Sequence, residues 1–126
     1  MKITFYSSSH GKLRVRIFHL EFVSQLIEQF KEARVKVRYG IYAQTTSLRE
    51  LDKPFDETVD LIILDPEMSL TFDVVHEKGV LATYTIKNSK ESSVLNEEAK
   101  AYQVSLFNQN KAVGLIKYQL DWLKKK

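Results

Sequence analysis

The hydrophobic pattern of this chain changes period several times, and each change marks a predicted element. Lys2–Tyr6 alternates around Ile3 and Phe5, which predicts a first strand. A polar loop, Ser7 to Gly11, follows. Over Leu13–Glu32, Leu20, Val23, Leu26, Ile27 and Phe30 recur at helical spacing opposite Glu21, Gln25, Glu28 and Lys31. That spacing predicts a long helix whose last turn, with Lys31 and Arg34, suits the negative end of its dipole. Val35–Tyr42 alternates strictly, with Val35, Val37, Tyr39 and Ile41 against Lys36, Arg38, Gly40 and Tyr42. It predicts a second strand, and its basic face marks it as a sheet edge. Thr45–Leu51 reads as a short helix or turn capped by Ser47 and interrupted by Pro54.

Asp60–Leu64 is a continuous apolar run, D-L-I-I-L, the pattern of a central parallel strand covered on both faces. Asp65-Pro66-Glu67 ends it, since proline cannot extend a ladder. Met68–Val75 is read as a short helix and Val80–Ile86, after the turn at Gly79, as a fourth strand. Lys87–Asn96 is a serine-rich loop leading to a short helix over Glu97–Lys100, and Tyr102–Phe107 is a fifth strand. From Asn108 to Lys126 the stripe Val113, Ile116, Leu120 and Leu123 predicts a closing helix, capped by Asn108 or Asn110. The alternation of strands and helices predicts one α/β domain over residues 1–126, with a three-layer, flavodoxin-like, mostly parallel sheet of four to five strands.

Composition narrows the chemistry. The chain has no cysteine, which removes disulfides, thiolate metal sites and a cysteine nucleophile. Net charge is +3, and Lys124, Lys125 and Lys126 alone account for that excess. Nucleic-acid binding through those lysines and Arg14–Arg16 is therefore not expected. No apolar run approaches the roughly 20 residues of a membrane span. A cytoplasmic setting without membrane contact is the expectation.

In a parallel sheet the binding crevice lies at the carboxyl ends of the strands. Ser7, Ser8, Ser9, His10, Gly11 and Lys12 would lie there, at the start of the long helix, as an anion-binding loop. The P-loop spacing is absent. Asp65, at the end of the apolar run, is the candidate phosphoacceptor. The histidines lack metal-ligand spacing, and no cofactor or metal is expected.

Two resemblances bear on function. Asp60–Met68, D-L-I-I-L-D-P-E-M, resembles the third strand of response-regulator receiver domains. The likeness would make Asp65 the phosphorylated aspartate and match Thr85 to the hydroxyl residue of the fourth strand. Ser7 and Ser8 stand where receivers carry an acidic pair, and Asn108 where they carry a lysine. The whole chain, and Ile3–Gly11 in particular, is similar to IIB components of sugar phosphotransferase systems. Tyr6 or Ser7 occupies the place of their phosphorylated cysteine. Cysteine-free IIB-like domains occur in virulence regulators of the Mga/AtxA type, where they serve regulation and self-association.

These resemblances imply a non-catalytic regulatory or interaction domain of a bacterial transcription-regulation or signalling system. It would contact itself or a protein partner through Tyr39, Tyr42, Phe72, Tyr118 and Trp122. The alternative is a phosphorelay protein using Asp65 or the Ser7–Lys12 loop.

Overall fold

The computed structural model describes residues 11–51, 53–63, 69–77, 79–86 and 100–124. The strand expected at Lys2–Tyr6, the loop residues Ser7 to His10, the turn at Asp65 and nearly all of the stretch from Lys87 to Lys100 lie outside them. Among the described residues there are nine strands and one short helix. In order these are β1 (Gly11–Phe22), α1 (Ser24–Phe30), β2 (Glu32–Tyr39), β3 (Tyr42–Thr45), β4 (Arg49–Glu50), β5 (Glu57–Ile63), β6 (Leu70–His76), β7 (Gly79–Ile86), β8 (Lys100–Asn108) and β9 (Lys111–Lys124). Every described strand pair is antiparallel. The expectation of a mostly parallel, three-layer α/β sheet is overturned.

The strands follow one path, β3-β2-β6-β7-β8-β9-β1-β5, with β4 beside β2. The β7–β8 link is a single register pair, Thr83 with Phe107. The path therefore divides into two leaves, β3-β2-β6-β7 and β8-β9-β1-β5. Their inward side chains share one core of Leu13, Val15 and Ile17 from β1, Val35 and Val37 from β2, Phe72 from β6, and Ile116 and Tyr118 from β9, among others. Phe72 meets Tyr118 across the leaves with ring centroids 4.7 Å apart. The result is a β-sandwich, in which each strand buries alternate residues.

The predicted helix over Leu13–Glu32 is mostly a strand. Leu13, Val15 and Ile17 are buried, then Leu20 and Phe22, so the buried parity switches between Ile17 and Leu20. The switch is a β-bulge, seen as a register shift against β9 between Ile17 and His19. The Phe18 carbonyl there accepts the Phe55 and Asp56 N–H groups at 3.2 and 3.3 Å. A bulge turns an i, i+2 pattern into i, i+3, and α1 continues that spacing with Leu26, Ile27 and Phe30, each half-buried against the core.

The closing helix is replaced by a hairpin. Gln109 and Asn110 take φ of 50° and 66°, the two positive values that a tight two-residue turn requires. β9 then buries the even residues Ile116, Tyr118 and Leu120. The short helix expected over Met68–Val75 is, in its described part, a strand, β6 (Leu70–His76). The strands expected at Val80–Ile86 and Tyr102–Phe107 are present as β7 and β8.

Two strand placements also change. β2 is internal, between β3 and β6, and not an edge. Asp60–Ile63, the described part of the D-L-I-I-L run, lies on β5, which among the described residues pairs with β1 alone. It buries Val59 and Leu61, while Ile62 is 57% exposed. Continuous apolarity there reflects an apolar outward residue, not burial on both faces.

β5 is also tied to the chain between β3 and β4. Glu57 accepts the Ser47 N–H at 2.8 Å and Arg49 Nη2 at 2.7 Å. Burial raises the Glu57 carboxyl, but these bonds outweigh it and leave the pKa below the ordinary value.

Gly114 sits opposite Phe22 in the β1–β9 ladder. A Cβ there would overlap the Glu21 carbonyl oxygen and lie 2.6 Å from Cδ1 of the Phe22 ring. The obstacle is backbone, so a rotamer change does not remove it. Gly114→Ala is expected to cost about 1–3 kcal/mol, read as a lower urea midpoint. A wild-type midpoint would contradict the packing described at this position.

Candidate functional site: the outer face of the first leaf

β2 alternates strictly, with Ala33, Val35, Val37 and Tyr39 buried and Glu32, Arg34, Lys36 and Arg38 exposed. Three cations thus stand two residues apart on the outward side of one strand. Register extends the surface across the leaf. Arg34 pairs with Val75, Lys36 with Asp73 and Arg38 with Thr71 on β6. Asp73 and Thr71 pair in turn with Thr83 and Thr85 on β7. Directly opposite residues project on the same side of a sheet, so these groups share one face.

Hydrogen bonds organise its centre. Arg38 donates from Nε to Asp73 Oδ2 at 2.6 Å and from Nη2 to Oδ1 at 3.4 Å. The Thr83 hydroxyl donates to Asp73 Oδ1 at 2.9 Å, and Thr71 and Thr85 share a hydrogen bond at 3.0 Å. Among the described residues, no ion pair engages Arg34 or Lys36.

The outer face of the second leaf is electrostatically different. Its cationic row, Lys12, Arg14 and Arg16 on β1, is answered by carboxylates. Lys12 Nζ lies 3.9 Å and Arg14 Nε 2.9 Å from Asp60, and Arg16 Nη2 lies 3.3 Å from Asp56. The hydrogen bond and charge of Asp60, with the charge of Asp121, raise the Arg14 pKa further above its ordinary value. Arg16 also lies over the Phe18 ring, 4.8 Å from its centroid.

The residues singled out in the sequence fall apart on this fold. Gly11 and Lys12 open a strand rather than a helix, and Lys12 belongs to the ion-paired face. No helix N-terminus follows directly to cradle an anion. Ser7, Ser8, Ser9, His10 and Asp65 lie outside the described residues. Asn108 forms the hairpin end and donates from Nδ2 to the Leu81 carbonyl at 2.8 Å. Of the five aromatics expected at an interface, Tyr39, Phe72 and Tyr118 are core, and Tyr42 and Trp122 are half-buried. Burial, with neighbouring Tyr84 and Tyr102, pushes the Tyr118 phenol up, so it stays neutral. The site residues missed were Arg34, assigned to a helix end, and Asp73, assigned to a helix. Extending the β2 alternation back to Glu32, and reading Leu70–Val75 at period two, would have found both.

The end of the sandwich near α1, β4 and the β6–β7 turn carries acidic side chains. Glu28, Glu32 and Glu50 line one cavity with Lys31, and Glu32, His76 and Glu77 line a second with Arg34. Glu50 is bound by Lys53 at 2.8 Å. Among the described residues, no group of three or more His, Cys, Asp or Glu side chains is placed to hold a metal ion.

Comparison with known proteins agrees with the sandwich. No family model matches the chain, and no curated protein matches its sequence. Solved structures do match in fold. A C2 domain of plant extended synaptotagmin 1 is similar at TM-score 0.72 and 15% identity, over 94% of this chain and 98% of that one. A C2 domain-containing protein is similar at TM-score 0.74 and 12% identity, over 94% and 92%. The paired C2 domains of extended synaptotagmin 2, in a calcium-bound structure, match at TM-score 0.69 and 18% identity, over 93% of this chain and 45% of that one.

The fold is thus of the C2 type. The likeness to IIB components, Mga/AtxA-type regulators and receiver domains is overturned, because those are α/β folds and this is an antiparallel sandwich. The roles drawn from it, in bacterial transcription regulation or as a phosphorelay protein, fall with it. The described donor set does not fit a calcium ion, whose six to eight oxygen ligands need several clustered carboxylates. Among the described residues, no helix is long and apolar enough to cross a membrane.

Proposed function

We propose that this domain docks on anionic phospholipid surfaces through the outer face of β2, without calcium. The observation that carries the reading is that Arg34 and Lys36 stand exposed on that face with no described carboxylate bound to them. Unpaired cations keep their full attraction for an anionic surface, whereas the Lys12–Arg14–Arg16 row spends its charge on Asp60 and Asp56. C2-type domains point towards calcium- or lipid-binding and membrane-interaction roles, which supports the same reading. A face three strands wide suits a headgroup layer.

Vesicle co-sedimentation tests this. The chain is expected to pellet with phosphatidylserine-containing vesicles and not with pure phosphatidylcholine. Binding should be equal with calcium or with chelator, and should weaken steeply as salt screens the charges. A strict calcium requirement, or equal binding to neutral vesicles, would contradict the reading. So would binding of an acidic peptide at this face with no vesicle binding, which would favour a protein partner.

A further inference from the structure

Asp73 is the single acidic residue in the grid that Arg34, Lys36 and Arg38 form with their β6 and β7 neighbours. Its direct cross-strand neighbour is Lys36, yet its carboxylate is turned diagonally to Arg38. Two oxygens take three bonds there, two from the guanidinium and one from the Thr83 hydroxyl. The Asp73 side chain is only 11% exposed, against 45% for Arg38. The carboxylate is therefore held in place beneath the surface while the guanidinium still reaches solvent. Of the three cations on β2, Arg38 is cancelled from within and two remain effective.

We infer that Asp73 is a built-in counter-anion that sets how much negative charge a surface must carry before this face docks on it. The inference rests on the docking reading above and adds its selectivity. A weakly anionic surface meets two effective cations. A densely anionic one also competes with Asp73 for the outward edge of Arg38. The electrostatic attraction near a lipid surface is about 1 kcal/mol per cation, so removing the Asp73 charge is worth about fivefold in affinity.

The experiment is a four-member cycle of wild type, Asp73→Asn, Arg38→Gln and the double variant. Each is titrated with vesicles of rising phosphatidylserine content, after circular dichroism has shown which are folded. Asp73→Asn keeps an acceptor for Thr83. It is expected to bind about fivefold tighter and to need less phosphatidylserine. Arg38→Gln, which uncovers the carboxylate, is expected to bind about fivefold weaker. The double variant should return to the wild-type level. If Asp73→Asn fails to fold, the ratio between Arg38→Gln and the double variant carries the same information. Glu28→Gln, an equal charge change at an exposed residue of α1 that joins no described ion pair, is the control and should leave affinity unchanged.

Wild-type affinity in Asp73→Asn, with binding still lost on removing Arg34 and Lys36, would overturn the counter-anion while leaving the docking reading intact. An equal gain in Glu28→Gln would overturn it too, since net charge alone would then explain the effect. Absence of vesicle binding by every member would overturn both.

Discussion

Phe72→Ala is expected to lower the stability of the domain by about 3–5 kcal/mol, the range for truncating a fully buried phenylalanine. Phe72 lies at the centre of β6 with no exposed surface, and its ring is tilted against Tyr118 from the opposite leaf. Removing the ring costs its transfer from water and leaves a void between two sheets. Their paired backbones resist closing over it. Tyr118 also loses its ring contact across the leaves, while keeping Tyr102 stacked at 5.3 Å on its own leaf. Domains of this size have only about 5–15 kcal/mol in total. Urea unfolding of Phe72→Ala should show a much lower midpoint, and Phe72→Leu a smaller loss. A Phe72→Ala loss below about 1 kcal/mol, the range of surface substitutions, would mean that the leaves do not meet at this residue.

The double charge reversal Arg34→Glu with Lys36→Glu is expected to remove binding to phosphatidylserine vesicles while leaving the fold intact. Loss of two cations near an anionic surface is worth about 2 kcal/mol, roughly 30-fold, and the two added carboxylates repel on top of that. Both side chains point to solvent and neither joins a described ion pair, so folded-state interactions are little changed. The matched reversal on the other leaf is Lys111→Glu with Lys117→Glu, at two exposed positions that join no described ion pair. It should bind nearly as wild type. Equal losses from both pairs would show that attraction is spread over the whole molecule and that no face is preferred.

The fold class was not legible in the chain, although single strands such as β7 and β8 were. Lys12 to Ile17 alternates as strictly as any strand in the protein, with Leu13, Val15 and Ile17 inward. The bulge at Phe18 broke the phase, and the helical intervals that followed gave a long helix where a strand and seven helical residues stand. β9 carries apolar residues of both parities, so Val113, Ile116, Leu120 and Leu123 mimic a helical stripe. The buried Tyr118 between them marks the true period of two. Strand direction had no local signature. It comes from which strands meet across the sandwich, a long-range property that forced the choice between α/β and all-β folds onto three misread segments.

The basic residues were legible in part. Lys36 and Arg38 were recognised as one exposed face, but the face was assigned to edge protection. Arg34 was cut off by a helix boundary placed too late. Asp73 was lost because Leu70, Phe72 and Val74 were not separated from Thr71, Asp73 and Val75 on the opposite side of a strand. What no sequence pattern supplies is the pairing of charges. That Asp60 neutralises Arg14, 46 residues away, while Lys36 beside Asp73 joins no described ion pair, depends on register and on which way a carboxylate turns.

The most direct measurement is an NMR titration of the isotope-labelled chain with phosphatidylserine nanodiscs, following each backbone amide. Broadening and shifts should concentrate on residues 34–38 of β2 and on Thr71, Asp73 and Thr83 beside them. Amides of the Lys12–Arg16 segment should move little. Perturbation centred on β1 and β5, or on the acidic end around α1, would contradict docking through the outer face of β2.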